Sequence, residues 1–169
     1  MIFFIGMPGS GKSFWGSTVA AAHGLPFVDL DKHIEDKIGM SIADYFYKYS
    51  ELEFREREQE SLMEVVRVMP GDSVIACGGG TPIFKDNLQK MKEAGCTVYV
   101  RASLSLILRR LENSSTRRPL LEGKDKATAL LELYDNRQPF YSQADYTFDV
   151  ESISLANFDK IIHSCTNRH

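Results

Sequence analysis

The chain has little of what marks secreted, membrane-embedded or nucleic-acid-binding proteins. Its three cysteines, Cys77, Cys96 and Cys165, are odd in number, widely spaced and without a CxxC pair. That argues against a disulfide framework and a zinc site, and predicts reduced thiols in a cytoplasmic protein. Long apolar runs are missing. The apolar start, Ile2 to Ile5, follows Met1 with no basic region and is far too short to span a bilayer. The net charge is −3, so no general basic field attracts nucleic acid, and any anion site must be built locally. The four histidines are scattered and suggest no metal site. There is no internal repeat, low-complexity stretch or linker. A length of 169 residues fits one domain, 1–169, with its own core, and a monomer is expected.

What is present is an alternation of short apolar runs and amphipathic stretches. Ile2 to Ile5, Phe27-Val28, Val74 to Ala76, Thr97 to Val100 and Tyr146 to Phe148 read as strands. Helices are predicted over Lys12–His23, Asp31–Ile38, Ile42–Tyr49, Glu51–Met69, Phe84–Ala94, Leu104–Leu111, Ala127–Tyr141 and Leu155–Ser164, several of them stopped by glycine. Ser41 is a candidate cap, with Asp44 in the capping-box position. The segment of about 113–126 is polar and basic with little periodicity, and reads as a lid. Strand–helix alternation throughout predicts an α/β three-layer fold with a mainly parallel sheet.

The sharpest motif is Gly6-Met7-Pro8-Gly9-Ser10-Gly11-Lys12-Ser13, a full match to GxxxxGK[ST] between a buried strand and a helix start. Such a loop converges backbone N–H groups on phosphate oxygens, and the helix N-terminus adds its positive dipole end. Gly9, Ser10, Gly11 and Phe14 belong to this nucleotide cradle, Lys12 reaches the β- and γ-phosphates, and Ser13 offers a hydroxyl to Mg²⁺. A plain glycine-rich turn is the competing reading, and the complete motif in its proper context leaves it little room.

Asp29 and Asp31 follow the second strand, where ligands of open parallel sheets lie. One carboxylate can support Mg²⁺ and the other can take a proton from an acceptor hydroxyl; helix capping by Asp31 is the alternative. Arg55, Arg117-Arg118 and Arg137 are candidate oxyanion readers, because a guanidinium binds carboxylate and phosphate bidentately. Arg55-Glu56-Arg57-Glu58 could equally be a salt-bridged helix face. Gly78-Gly79-Gly80 after the third strand reads as a substrate floor that a ligand can approach closely.

In this order and spacing, these pieces resemble the shikimate kinases, within the nucleoside-monophosphate-kinase-like P-loop proteins. The likeness runs from about Ile2 to Asp149. It rests on Gly6 to Ser13, Phe27 to Asp31 with Ile34-Glu35, Phe54-Arg55, Gly78 to Gly80, Arg118-Pro119-Leu120-Leu121 and Arg137 to Tyr141 before Ala144-Asp145. The resemblance implies a five-stranded parallel sheet with a mobile lid, and transfer of the γ-phosphoryl group of ATP to the 3-hydroxyl of shikimate with Mg²⁺. It implies that Asp31 holds the acceptor hydroxyls and serves as base, that Arg55 and Arg137 hold the carboxylate, and that Gly79 with its neighbours contacts the ring hydroxyls. It also implies that Asp29 supports Mg²⁺, that Arg118 descends with the lid onto the phosphates, and that Arg110 lies against the adenine. Phe14-Trp15 depart from the family pattern and are expected to change packing under the loop. Two other readings stand beside this one: a kinase for another small acceptor such as gluconate or a nucleotide, and a nucleotide-binding module without catalysis.

Overall fold

Ile2, Phe3, Phe4 and Ile5 are all at 0% exposure, and the fold is arranged around the strand they form, β1 (Ile2–Ile5). The computed structural model describes residues 1–113 and 125–166. Alternate side chains of β1 serve opposite faces, as a pleated strand requires. Phe3 and Ile5 enter one apolar cluster, and Ile2 and Phe4 the other.

β1 pairs in parallel with β3 (Val74–Ala76) on one side and β4 (Cys96–Arg101) on the other. Outside these lie β2 (Phe27–Asp29) and β5 (Tyr146–Asp149), giving the order β2-β3-β1-β4-β5. Ile2 faces both Val74 and Cys96, and Phe27 faces Val74, so four strands begin level; β5, also parallel, starts two residues in, opposite Val98. All strands therefore end at one edge. Among the segments that leave that edge are the phosphate-loop motif, Asp29 to Asp31, and the triple glycine. This is the five-stranded parallel α/β sheet that the alternation and the resemblance predict.

Two helices cover the Ile2/Phe4 face: α1 (Lys12–His23), through Val19 and Ala20, and α8 (Leu155–Thr166), through Phe158, Ile161 and Ile162. The Phe3/Ile5 cluster takes in α2 (Leu30–Ile38), α3 (Ile42–Lys48), α4 (Glu51–Val68), α5 (Asn87–Ala94), α6 (Leu104–Glu112) and α7 (Lys126–Tyr141). Ser41 caps α3 as predicted, accepting the Asp44 N–H at 3.0 Å. A reciprocal capping box, which the sequence pattern had not singled out, joins Ser50 and Glu53 at the start of α4.

Three expectations need correction. The helix predicted from Phe84 starts at Asn87. A single 3₁₀ turn over Thr81–Ile83 precedes it, and Lys85 adopts φ 48°, which no continuous helix allows. The cap of α2 is Asp29, which accepts the Lys32 N–H at 3.2 Å, and Asp31 lies in the first turn. The cysteines do not remain three free thiols: Cys96 and Cys165 form a disulfide, with their Cα atoms 5.3 Å apart, and Cys77 is free and buried. The two partners stand 69 residues apart, and their meeting depends on α8 folding back over the start of β4, which spacing cannot reveal. The cysteine content therefore no longer supports a reducing compartment. Most of the expected lid, with Arg117, Arg118 and Pro119 to Leu121, lies outside the described residues; at its margins Asn113 ends α6, Asp125 caps α7 and Lys126 begins that helix. Among the described residues no helix is long and apolar enough to cross a membrane.

The disulfide closes a long loop and should stabilise the fold by about 2–4 kcal/mol, chiefly by restricting the unfolded chain. Cys165→Ser should lower the urea midpoint accordingly. Thiol titration of the denatured, unreduced chain should find Cys77 alone; three reactive thiols before reduction would refute the pairing.

Candidate active site

The edge where the strands end carries a cavity of about 650 Å³. Its lining includes Gly9, Gly11, Lys12, Ser13 and Phe14 from the phosphate-loop motif, together with Asp29, Asp31, Gly79 and Arg110. One concavity thus collects the residues that separate segments supply. Gly11 adopts φ 104°, a left-handed conformation that passes the chain from the loop into α1. Buried Lys12 donates from Nζ to the Met7 carbonyl at 2.9 Å, which folds its ammonium back over the loop. Arg110, reaching across from α6, donates to the Gly9 and Ser10 carbonyls at 3.0 and 3.1 Å. Phe14 is 65% exposed, so its ring is not packed under the loop as expected; Trp15 instead stacks on Phe158.

Gly78, Gly79 and Gly80 bring the remaining candidates together. A Cβ on Gly78 would stand 2.7 Å from Asp31 Oδ1 and 2.6 Å from Glu58 Oε1. One on Gly79 would lie 2.9 Å from the Arg137 guanidinium, and one on Gly80 would overlap that of Arg55. The turn is a floor in a literal sense: Asp31, Arg137 and Arg55 rest on it because it has no side chains. Neither arginine lines the cavity itself; both lie beside it, against glycines of which Gly79 is part of the lining.

Glu58 was not singled out from the sequence, and it organises this corner. It is 1% exposed, accepts from Arg55 at 2.7 Å, and accepts the Thr81 hydroxyl at 2.6 Å. Arg55 also donates to Glu51 at 3.2 Å. Burial by itself would lower the Arg55 pKa; Glu58 and then Glu51 outweigh it and hold the guanidinium above its ordinary value. The charge-rich stretch is therefore divided: Arg57–Glu60 is an exposed surface pair, whereas Arg55–Glu58 is built into the site. Tyr141 was also missed as a contributor. Its hydroxyl donates to the Gly79 carbonyl at 2.6 Å, and burial pushes its phenol pKa up. Arg137 opposes that shift, as a neighbouring cation should. Asp145 serves the fold and not the cavity. Its Oδ2 accepts both the Thr97 N–H and hydroxyl at 2.8 Å, tying the chain before β5 to β4. Cys77 is no nucleophile in this setting, because burial above all raises its thiol pKa.

Among the described residues no group of three or more His, Cys, Asp or Glu could hold a metal alone. Ser13 and Asp29 line the same cavity, one a hydroxyl and the other a carboxylate. These hard oxygen donors suit a Mg²⁺ ion that takes its other ligands from phosphates and water.

A profile of the family described as "Shikimate kinase" matches residues 8–166. The chain belongs to the shikimate kinase family. It is 36% identical to the shikimate kinase of Parabacteroides distasonis, over 98% of this chain and 95% of that protein. The crystal structure of the Bacteroides thetaiotaomicron shikimate kinase superposes with a TM-score of 0.87 at 31% identity, covering 96% of this chain and 97% of that one. The Acinetobacter baumannii shikimate kinase in complex with shikimate gives a TM-score of 0.83 at 31% identity, over 96% and 90% of the two chains. These matches do not favour the other two readings of the sequence, a gluconate-type kinase or a non-catalytic module.

Glu58→Ala would leave Arg55, among the described residues, with Glu51 as its one carboxylate partner and would remove the acceptor of the Thr81 hydroxyl. It should cost about 3 kcal/mol in urea unfolding, near the lower bound for breaking a buried pair. A loss well under 1 kcal/mol would show that Glu58 does not hold this corner.

Proposed function

We propose that this shikimate kinase family member transfers the γ-phosphoryl group of ATP to the 3-hydroxyl of shikimate, giving shikimate 3-phosphate and ADP. The observation that carries the proposal is the convergence of Asp31, Arg55 and Arg137 on a glycine floor next to the phosphate loop. A carboxylate and two guanidiniums in that arrangement suit an acceptor that has hydroxyls at one end and a carboxylate at the other. The relative seen with shikimate bound supports the same acceptor.

In this reading the loop N–H groups and Lys12 hold the triphosphate, and Arg110 lies along the loop toward the nucleoside end. Arg55, set by Glu58, and Arg137 fix the acceptor carboxylate. Asp31 accepts the hydroxyl proton as the acceptor oxygen bonds to the γ-phosphorus and the bridging oxygen leaves with ADP. Such a transfer is achieved mostly by alignment and charge neutralisation, so preset cations matter more than covalent chemistry. Ser13 and Asp29 would hold Mg²⁺, whose charge offsets that of the phosphates. Arg118 would add positive charge on the phosphates with the lid. The chain would act as one domain and a monomer.

The test is coupled ADP release with Mg-ATP and shikimate, quinate, gluconate or AMP. Turnover is expected with shikimate. Asp31→Asn should lower kcat by roughly 10²–10⁴-fold, the span of a general-base contribution, without lowering the melting temperature. Lys12→Ala should likewise remove most activity. Preference for another acceptor, or unchanged turnover in Asp31→Asn, would overturn the assignment.

A further inference from the structure

The cavity has a second end that phosphate and acceptor chemistry leave unused. There it is lined by Phe14, Trp15, Arg110, Leu111 and Val150. Gly11 marks where this end meets the phosphate loop. A Cβ on it would stand 3.6 Å from the Arg110 guanidinium, 3.6 Å from the Trp15 indole and 3.9 Å from a Val150 methyl. A planar cation, a planar aromatic ring and an aliphatic group therefore close on the same point, one residue before Lys12.

Trp15 is held as a fixed wall. Its ring stacks on fully buried Phe158 of α8, with centroids 6.3 Å apart and planes 27° apart. Phe14 meets it edge-on at 5.5 Å and 84°. Phe158 is itself packed against Phe4 and Phe148, so the indole is backed by the core of the Ile2/Phe4 face. Trp15 is half-buried: it is anchored from behind and still contributes to the cavity lining.

The geometry points to Trp15, with Phe14 at its edge, as the stacking wall for the nucleobase of the bound nucleotide. This rests on the reading that the phosphate loop binds ATP. A nucleobase presents a flat π-face, and stacking on an aromatic side chain contributes about 1–3 kcal/mol per base. Arg110, pinned by the loop carbonyls, supplies the neighbouring guanidinium plane. The base-binding end of the site is thus formed by the two residues directly after Ser13 together with Arg110 and Val150.

Trp15 is the chain's single tryptophan, so its emission reports on this wall alone. The unaltered protein should be titrated with ADP and with inorganic tripolyphosphate, each also assayed as an inhibitor competing with ATP. ADP should change the emission saturably over the range in which it inhibits, and tripolyphosphate should inhibit without that change. Trp15→Leu keeps an apolar contact for Phe158 and removes the indole plane. It should raise the KM for ATP about 5–10-fold, the lower end of one base–aromatic stack, and leave the KM for shikimate in place. Equal emission changes with both ligands would overturn the inference, as would a normally melting Trp15→Leu whose KM for ATP is within about twofold of the parent. Inhibition by both ligands with no emission change from either would also overturn the wall while leaving the nucleotide site standing. If neither ligand inhibits, the nucleotide reading fails along with it. The fluorescence comparison uses the native chain and remains decisive even if Trp15→Leu does not fold.

Discussion

The turn Gly78–Gly80 lies so close to charged side chains that a Cβ at any of its three positions would displace one. Asp31 and Glu58 close over the first position, Arg137 over the second and Arg55 over the third. The relative placement of an acid and two cations therefore depends on a backbone segment, one that leaves β3, an interior strand of the sheet. The turn is held at its middle and just beyond its end. Tyr141 donates to the Gly79 carbonyl, and Glu58 accepts from Thr81, the residue that follows the third glycine. Rigid elements carry both partners, since Tyr141 ends α7 and Glu58 lies inside α4. The floor thus couples two helices that are distant in the sequence.

Charge explains why this corner needs so many partners. An ionised carboxylate as deeply buried as Glu58 carries a large desolvation cost, which a single well-formed ion pair with Arg55 can offset only in good geometry. Thr81 supplies a further hydrogen bond and Glu51 braces the guanidinium from the outside. Arg55 accordingly keeps its orientation before any ligand arrives. For a reaction driven by alignment, that preset orientation is worth more than an extra contact formed late.

The fold was legible because β1 declares itself: an apolar run without alternation ends in a glycine loop, and similar runs recur between amphipathic stretches. The phosphate-loop residues were legible because their chemistry is local. What escaped is what depends on spatial neighbours far along the chain. Glu58 looked like one more charge on an exposed helix, and nothing near it announces Thr81, 23 residues on. Tyr141 meets Gly79 across 62 residues. Asp29 and Asp31 both suit a helix start, and a cap is decided by where the first turn begins, a matter of one or two residues that pattern reading does not fix. The cysteine reading failed for the same reason. Parity and spacing describe frameworks of many bridges, whereas one bridge between β4 and α8 is a property of the packing.

The C-terminal helix shows how a motif-free element can still shape a site. α8 offers no catalytic residue, and the sequence pattern assigned it none. Yet it covers the sheet face beneath the phosphate loop, and it is fixed there in three ways. Phe158 packs among Phe4, Trp15 and Phe148; His23 faces Asp159 at 3.1 Å; and Cys165 is bonded to Cys96. Two of these ties reach α1, the helix whose N-terminus carries Lys12 and Ser13. A shift of α8 would therefore be felt first by Trp15 and only then by the loop, because Trp15 stands between Phe158 and Gly11. The acceptor end leans on α4 and α7 instead. The nucleotide end thus draws on both faces of the sheet, on α8 through Trp15 and on α6 through Arg110, and β1, buried on both faces, is the element that holds it in register with the acceptor end.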